Sequence, residues 1–148
     1  MSMSHSAPDC ELCQQPGGTL LWRNGLCRVV LVADPLYPGF CRVILNRHVA
    51  EMTDLPAPEQ HALMSVVFSV EACLRQLLQP TKINLASFGN MVPHVHWHVI
   101  PRFGDDTHFP QPVWGTAQRQ GAAHGAPAVE ALRRALVTLL GPDAGEAP

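Results

Sequence analysis

The chain has 148 residues, of which 47% are hydrophobic, and a formal net charge of −2 when its histidines are neutral. This length predicts one domain, residues 1–148, with enough apolar area for a globular core. The lysines and arginines are scattered along the chain, which argues against a nucleic-acid surface. No run of about 18 apolar residues and no signal-peptide core occur. We therefore expect a cytoplasmic protein that contacts neither nucleic acid nor a membrane.

The cysteines are odd in number, which argues against a disulfide framework in an unsecreted chain. They are Cys10, Cys13, Cys27, Cys41 and Cys73. The first two are separated by two residues, so they could clasp a metal ion, form a redox pair or stand together by chance. Pro16, Gly17 and Gly18 follow at once, and this favours a knuckle and a turn over a thioredoxin-like strand and helix.

The next stretch predicts three strands. Residues 20–22 and 26–32 flank Asn24-Gly25, a dipeptide typical of a tight hairpin turn. Asp34-Pro35 breaks the second run, and residues 40–45 follow as a third strand. Asp34 has two interpretations at this point. It is either a turn residue or a carboxylate at a strand exit that accepts hydrogen bonds from ligand hydroxyls.

A long helix is predicted over residues 58–78, where apolar side chains recur every three or four positions. They include Leu63, Val67, Val70 and Leu74. We assign this helix to core packing, with no chemistry of its own. Pro80 ends it, and residues 82–88 predict a short strand.

The stretch from Pro93 to Pro101 reads PHVHWHVIP. His94, His96 and His98 alternate with apolar residues, and this period of two predicts a strand with three imidazoles on one face, about 7 Å apart. The connection from the preceding strand is too short for a crossover, so the two strands should be antiparallel. Because imidazole can be a nucleophile, a proton donor or a metal ligand near neutral pH, this row indicates chemistry rather than packing.

The chain after the histidine row predicts an irregular loop over residues 102–125, rich in proline and glycine. Such a loop can cover a site or carry a partner contact. A last helix is predicted over residues 128–140, and Gly141-Pro142 ends it.

The residues from His94 to Ile100 resemble the signature of the histidine-triad (HIT) family, His-φ-His-φ-His-φ-φ with φ apolar. A second stretch, ADPLYPGFCRVILNRHV, is similar to the family's strand, Asn or Asp, Pro, then Pro-Gly-His, an apolar strand and Arg-His. The resemblance covers about residues 9–103, and the C-terminal loop and helix, 104–141, lie beyond it. It implies an α+β fold with an antiparallel sheet of about five strands and one long helix, usually dimerised.

The resemblance also implies roles for individual residues. His96 matches the family's nucleophile, and His98 matches a partner that contacts the phosphate of the bound nucleotide. Asp34 falls where the family places a ribose-binding Asn or Asp, which makes the functional interpretation of this residue the stronger one. The positions at which a subset of members bind structural zinc are Cys10, Cys13, His48 and His94. No organic cofactor is implied.

The loop before the triad departs from the family pattern. Many members have a longer loop there with Gly-Gln-Ser or Gly-Gln-Thr, whose polar groups touch phosphate, whereas this chain has Gly89-Asn90-Met91. Asn90 can still donate a side-chain amide to a nucleotide, but Met91 cannot replace a hydroxyl. Asn84 falls near a family asparagine position and is a further candidate for nucleotide binding. These differences concern substrate preference more than the reaction.

The residues and the resemblance together predict a hydrolase or transferase acting at the α-phosphate of a purine nucleotide derivative. A neutral imidazole can attack without first losing a proton, which gives a nucleotidyl-histidine that water then opens. The second imidazole can hydrogen-bond phosphoryl oxygens or pass a proton. The leaving group stays open among dinucleoside polyphosphates, nucleoside phosphoramidates and adenylylated amines.

Three other functions are weighed against this prediction. A catalytic metal site built from His94, His96 and His98 would need neighbouring histidines of one strand to converge on a single ion. A nucleotide-binding regulatory protein would bind nucleotide at the same site but hydrolyse it little or not at all. A redox protein using Cys10 and Cys13 would leave the histidine row unexplained.

Overall fold

The computed structural model describes residues 6–143. Its five strands are β1 (Thr19–Arg23), β2 (Cys27–Leu31), β3 (Cys41–Leu45), β4 (Lys82–Ala86) and β5 (His96–Arg102). The helices of the described chain are α1 (Glu11–Gln14), the 3₁₀ turn Met52–Asp54, α2 (Ala57–Leu78) and α3 (Val129–Leu140). All strand pairs are antiparallel, in the order β1-β2-β3-β5-β4. The predicted α+β fold, with a five-stranded antiparallel sheet, a long helix and a C-terminal helix, is confirmed.

The first hairpin is closed by the side chain of Asn24. Its Oδ1 accepts hydrogen bonds from the backbone N–H groups of Leu26 and Cys27 at 2.9 and 2.8 Å. Its own N–H donates to the carbonyl of Cys27 at 2.9 Å. Asn24 therefore closes the turn with both its side chain and its backbone, and the strands β1 and β2 are paired directly beyond the turn.

One face of the sheet packs against α2 and α3 and forms the main core. Strand alternation directs Val29, Val43 and Val99 to this face, and all three are fully buried against α2 residues such as Leu63. The length and mean hydropathy of α2, 22 residues and 1.2, would also allow a membrane span. Its apolar side packs on the sheet, as the core helix of a globular domain does.

The opposite face carries the histidines and is covered at its two ends. At one end, Cys10 and Leu12 around α1 pack on Val30 and Ile44. At the other end, residues 103–125 return over the sheet to the cluster formed by Tyr37, Phe40 and Ile100. The middle of this face is left open, between the N-terminal knuckle (residues 9–18) and the segment 103–125.

A buried carboxylate organises the segment 103–125. Asp106 is 3% exposed and accepts hydrogen bonds from Arg102 at 2.8 and 3.0 Å and from the backbone N–H groups of Phe103 and Phe109. Burial alone would raise the pKa of Asp106, but the hydrogen bonds from Arg102 and the backbone lower it to about 2. The predicted loop is irregular, and this ion pair ties it to the end of β5.

Candidate active site

The four residues that the resemblance implies as metal ligands lie together. Cys10 and Cys13 flank the start of α1, His48 follows β3, and His94 precedes β5. The Nδ1 of His94 lies 3.4 Å from each Sγ and 3.3 Å from the Nδ1 of His48. The Sγ of Cys13 lies 3.3 Å from His48 Nδ1. Ordinary zinc bond lengths in a tetrahedron would give separations of about 3.5 Å between sulfur and nitrogen and about 3.3 Å between nitrogens. The four residues could therefore hold one metal ion.

His94 differs from the sequence prediction, because β5 begins only at His96. The prediction of three evenly spaced imidazoles on one strand face was therefore wrong. The His94 ring is fully buried and turns its Nδ1 to the cysteines, and its Nε2 donates to the carbonyl of Leu45 at 2.6 Å. Burial lowers the pKa of His94, so the ring is neutral, as a metal ligand must be.

His96 is oriented by the residue that precedes it by two positions. Its Nδ1 lies 2.6 Å from the backbone carbonyl of His94, and since a carbonyl only accepts, the Nδ1 carries the proton. The Nε2 lone pair is then available, and His96 lines the central cavity of this face. Burial lowers the pKa of His96; the bond to His94 opposes this shift and the charge of Arg42 adds to it. A neutral imidazole with a free Nε2 is the nucleophilic form.

His98 is the second imidazole of the cavity, with its ring centroid 5.0 Å from that of His96. Burial, His96 and Arg42 together lower the pKa of His98 to about 4, so this ring is neutral at pH 7. Aromatic rings surround it. Its centroid lies 5.6 Å from that of Phe40 and 5.0 Å from that of Trp114. His98 can therefore form a hydrogen bond with a phosphate bound in the cavity, beside aromatic rings.

The cavity has a volume of about 440 Å³ and lies between the N-terminal knuckle and the segment 103–125. Arg42, His96 and His98 face it from the sheet. Its other walls are Glu11, Leu12, residues 88–92 and Trp114. This volume and this mixture of polar and aromatic side chains suit a small organic ligand with a charged part.

The predicted nucleotide-binding residues lie in different places. Asn90 lines the cavity with His96 and His98. Asp34 lines a separate cavity of about 490 Å³, and its Oδ1 accepts a hydrogen bond from the N–H of Leu36, as a turn residue does. Asn84 accepts a hydrogen bond from Arg102 at 2.8 Å. The structure brings Asn90 to the two histidines, but not Asp34 or Asn84.

The family model for the HIT domain matches residues 15–105, more than half of the chain. The chain belongs to the HIT family. Several relatives and solved structures extend this result.

One curated relative of this HIT protein is an AP-4-A phosphorylase of Mycobacterium tuberculosis, 29% identical over 116 residues, which are 73% of this chain and 60% of that protein. Another is a bis(5'-nucleosyl)-tetraphosphatase (asymmetrical) of Schizosaccharomyces pombe, 30% identical over 91 residues, which are 58% of this chain and 50% of that protein. This chain therefore spans 50–60% of the length of these two relatives. A histidine triad protein of Sinorhizobium meliloti superposes with a TM-score of 0.70 at 28% identity, over 94% of this chain and 100% of that one.

Sequence reasoning missed several residues that line the HIT protein's cavity, among them Arg42 and Trp114. A charged residue inside the apolar strand CRVIL was a signal for Arg42, because alternation directs it to the same sheet face as Ile44. For Trp114 the sequence offered only a loop rich in proline and glycine. Its position depends on Asp106, which ties that loop to β5.

We predict that the four-residue cluster binds about one metal ion per chain and that the ion stabilises the fold. Cys10→Ser should abolish the metal and lower Tm by about 5–10 °C, because a ligand bound only by the folded state stabilises it. Metal analysis and thermal melts with and without a strong chelator measure both effects.

The Cys10→Ser variant is also the control for the chelator. Its Tm should not respond to chelation, whereas that of the parent should fall. A parent without metal, together with an unchanged Tm for Cys10→Ser, would show that the four residues do not form a metal site.

Proposed function

We propose that this HIT protein is a hydrolase or nucleotidyl transferase that cleaves nucleotide derivatives at the α-phosphate through a nucleotidyl-histidine. The nucleophile is Nε2 of His96. The observation that carries the proposal is the 2.6 Å hydrogen bond from His96 Nδ1 to the carbonyl of His94. This bond selects the tautomer whose lone pair lies on Nε2, beside an open cavity.

The reaction takes two displacements at phosphorus. In the first, Nε2 of His96 forms a bond to the α-phosphorus while the bond to the leaving group breaks, and the leaving group departs with the electron pair. The imidazole gains positive charge as it attacks, so its Nδ1–H bond to the His94 carbonyl strengthens. His98, which is neutral at pH 7, hydrogen-bonds the phosphoryl oxygens or relays a proton from water to the leaving group. Water then attacks the same phosphorus and loses a proton to His98 or to solvent, while the phosphorus–nitrogen bond breaks and frees His96.

The names of the relatives support dinucleoside polyphosphates as the first substrate class to test. One relative is named for AP-4-A and the other for bis(5'-nucleosyl) tetraphosphate. Nucleoside phosphoramidates remain the second class, since they differ only in the leaving group. A purine base is the expectation from the family resemblance.

A second candidate function is nucleotide binding with little turnover. It is favoured by the short loop Gly89-Asn90-Met91, which offers the cavity one side-chain amide and no hydroxyl. Equilibrium binding without hydrolysis of any tested substrate would support this alternative.

We also propose that the metal ion of the HIT protein is structural zinc, bound by Cys10, Cys13, His48 and His94. Two thiolates and two imidazoles complete a tetrahedron, which leaves no open position for substrate. The ion would supply a cross-link between the N-terminal knuckle and the residue whose carbonyl orients His96. The homodimer and the cytoplasmic location expected from the sequence stay predictions.

The next prediction concerns the nucleophile. His96→Asn keeps an N–H donor near the carbonyl of His94 and removes the attacking nitrogen, so kcat should fall by about three orders of magnitude or more. The Kd of a nucleoside monophosphate should stay within about three-fold, since binding groups remain. His98→Ala should cost less in kcat, because the attacking atom is still present. Steady-state kinetics and calorimetry give these values.

His61→Ala serves as the matched control, because His61 is exposed on α2, outside the cavity. Its kcat should equal that of the parent. Near-parental turnover by His96→Asn on every substrate that the parent cleaves would refute a covalent role for His96.

A further prediction concerns the ribose-binding role that the resemblance implies for Asp34. Asp34→Ala should weaken nucleotide binding by about 1.5–3 kcal/mol, typical of hydrogen bonds to a charged group. Removal of the ligand's 2′-hydroxyl should cost less binding free energy in the variant than in the parent, because the variant already lacks the carboxylate that would accept its hydrogen bond. Calorimetry measures the binding free energy that each protein loses with the 2′-deoxy ligand. Equal losses in the two proteins would show that Asp34 acts only as a turn residue, through its hydrogen bond with Leu36.

A further inference from the structure

Arg42 is a charged residue inside an otherwise apolar strand. It lies on β3 directly opposite His98 of β5, and its neighbour Ile44 lies opposite His96. Alternation therefore directs the Arg42 side chain to the histidine face, where it lines the cavity with both imidazoles.

Arg42 is half-buried, whereas the two fully buried arginines of this face, Arg28 and Arg102, have structural partners. Arg28 donates to three backbone carbonyls, at Leu12, Gln15 and Pro16. Arg102 forms an ion pair with Asp106. These guanidinium groups are satisfied by the fold, so neither is available to a ligand.

Arg42 is different. Within residues 6–143 it forms no ion pair, and its one hydrogen bond runs from Nη1 to the carbonyl of Gly17 at 3.1 Å. Its Nε is buried without an acceptor in that same part of the chain. Burial lowers the pKa of Arg42 and the nearby Glu11 raises it, although the two side chains do not pair. The Nη2 of the same guanidinium has no hydrogen-bond partner within residues 6–143 either, so a ligand anion in the cavity could accept a hydrogen bond from it.

The chemistry of the cavity makes this cation important. Arg42 is the one lysine or arginine among the described residues that line it, and His96 and His98 are neutral at pH 7. Guanidinium binds phosphoryl oxygens through two parallel hydrogen bonds, and the aromatic surroundings strengthen the attraction. The Gly89-Asn90-Met91 loop offers no comparable group.

We propose that Arg42 binds the phosphoryl oxygens of a polyphosphate chain beside His96 and His98, and that it favours substrates with a polyphosphate leaving group over those that release a neutral amine. The substrate preference rests on the proposed function, whereas the binding of phosphoryl oxygens by Arg42 does not depend on it. Arg42 thereby supplies the phosphate contact that the short loop before β5 lacks.

The test compares two substrates that share their adenylyl part. Diadenosine tetraphosphate releases a polyphosphate, and adenosine 5′-phosphoramidate releases ammonia. Arg42→Gln should lower kcat/KM for the first by about 10- to 100-fold, the range of a charged hydrogen bond, and for the second by only a few-fold. Arg42→Lys keeps the charge without the paired donors, so its loss should be intermediate. Arg134→Gln, an exposed arginine of α3, removes the same charge outside the cavity and should match the parent.

Equilibrium binding separates this proposal from the proposed reaction. Arg42→Gln should lose about 10-fold or more in affinity for ATP and less for AMP, whether or not the protein turns over. If the parent hydrolyses nothing but ATP affinity depends on Arg42, the reaction is wrong and the anion site stands. The proposal would be overturned if Arg42→Gln lowered kcat/KM equally for both substrates and lowered the affinity equally for ATP and AMP. Unchanged ATP affinity in Arg42→Gln and Arg42→Lys would also overturn it. So would a parent protein that does not bind ATP.

Discussion

The hydrogen bond from His96 Nδ1 to the carbonyl of His94 is the interaction on which the site depends. It joins the candidate metal site and the candidate active site through one residue. The side chain of His94 lies in the cluster with Cys10, Cys13 and His48, and its main chain orients the imidazole of His96. A contact that holds the His94 ring therefore also restrains the His94 carbonyl, which sets the tautomer and direction of the His96 ring. Such preorganisation avoids rearrangement during the reaction.

Two coverings convert a flat sheet face into a cavity. The knuckle around α1 packs on Val30 and Ile44, and the segment 103–125 packs on the cluster around Phe40. Each covering is held by groups outside the cavity, the cysteine–histidine cluster at one end and the Arg102–Asp106 ion pair at the other. Burial between them keeps the imidazoles of His96 and His98 neutral at pH 7 and leaves Arg42 as the cationic side chain among the described residues that line the cavity.

The sequence predicted the features that depend on local patterns and missed those that depend on distant contacts. Apolar spacing located α2, and Asn24-Gly25 located the first hairpin. The alternating pattern could not predict the orientation of the His94 ring, because this ring contacts cysteines more than 80 positions away and does not lie in line with His96 and His98. A matched motif places Asp34 along the chain, but the cavity that it lines depends on the turn and on residues near the C-terminal helix.

The most direct test looks for the covalent intermediate. The parent protein is mixed with diadenosine tetraphosphate, quenched in alkali, in which a phosphorus–nitrogen bond survives better than in acid, and digested for mass spectrometry. We expect an adenylyl group on the peptide that carries His96, and none in the His96→Asn variant treated in the same way. Rapid turnover without any adduct, or an adduct on a different residue, would contradict it.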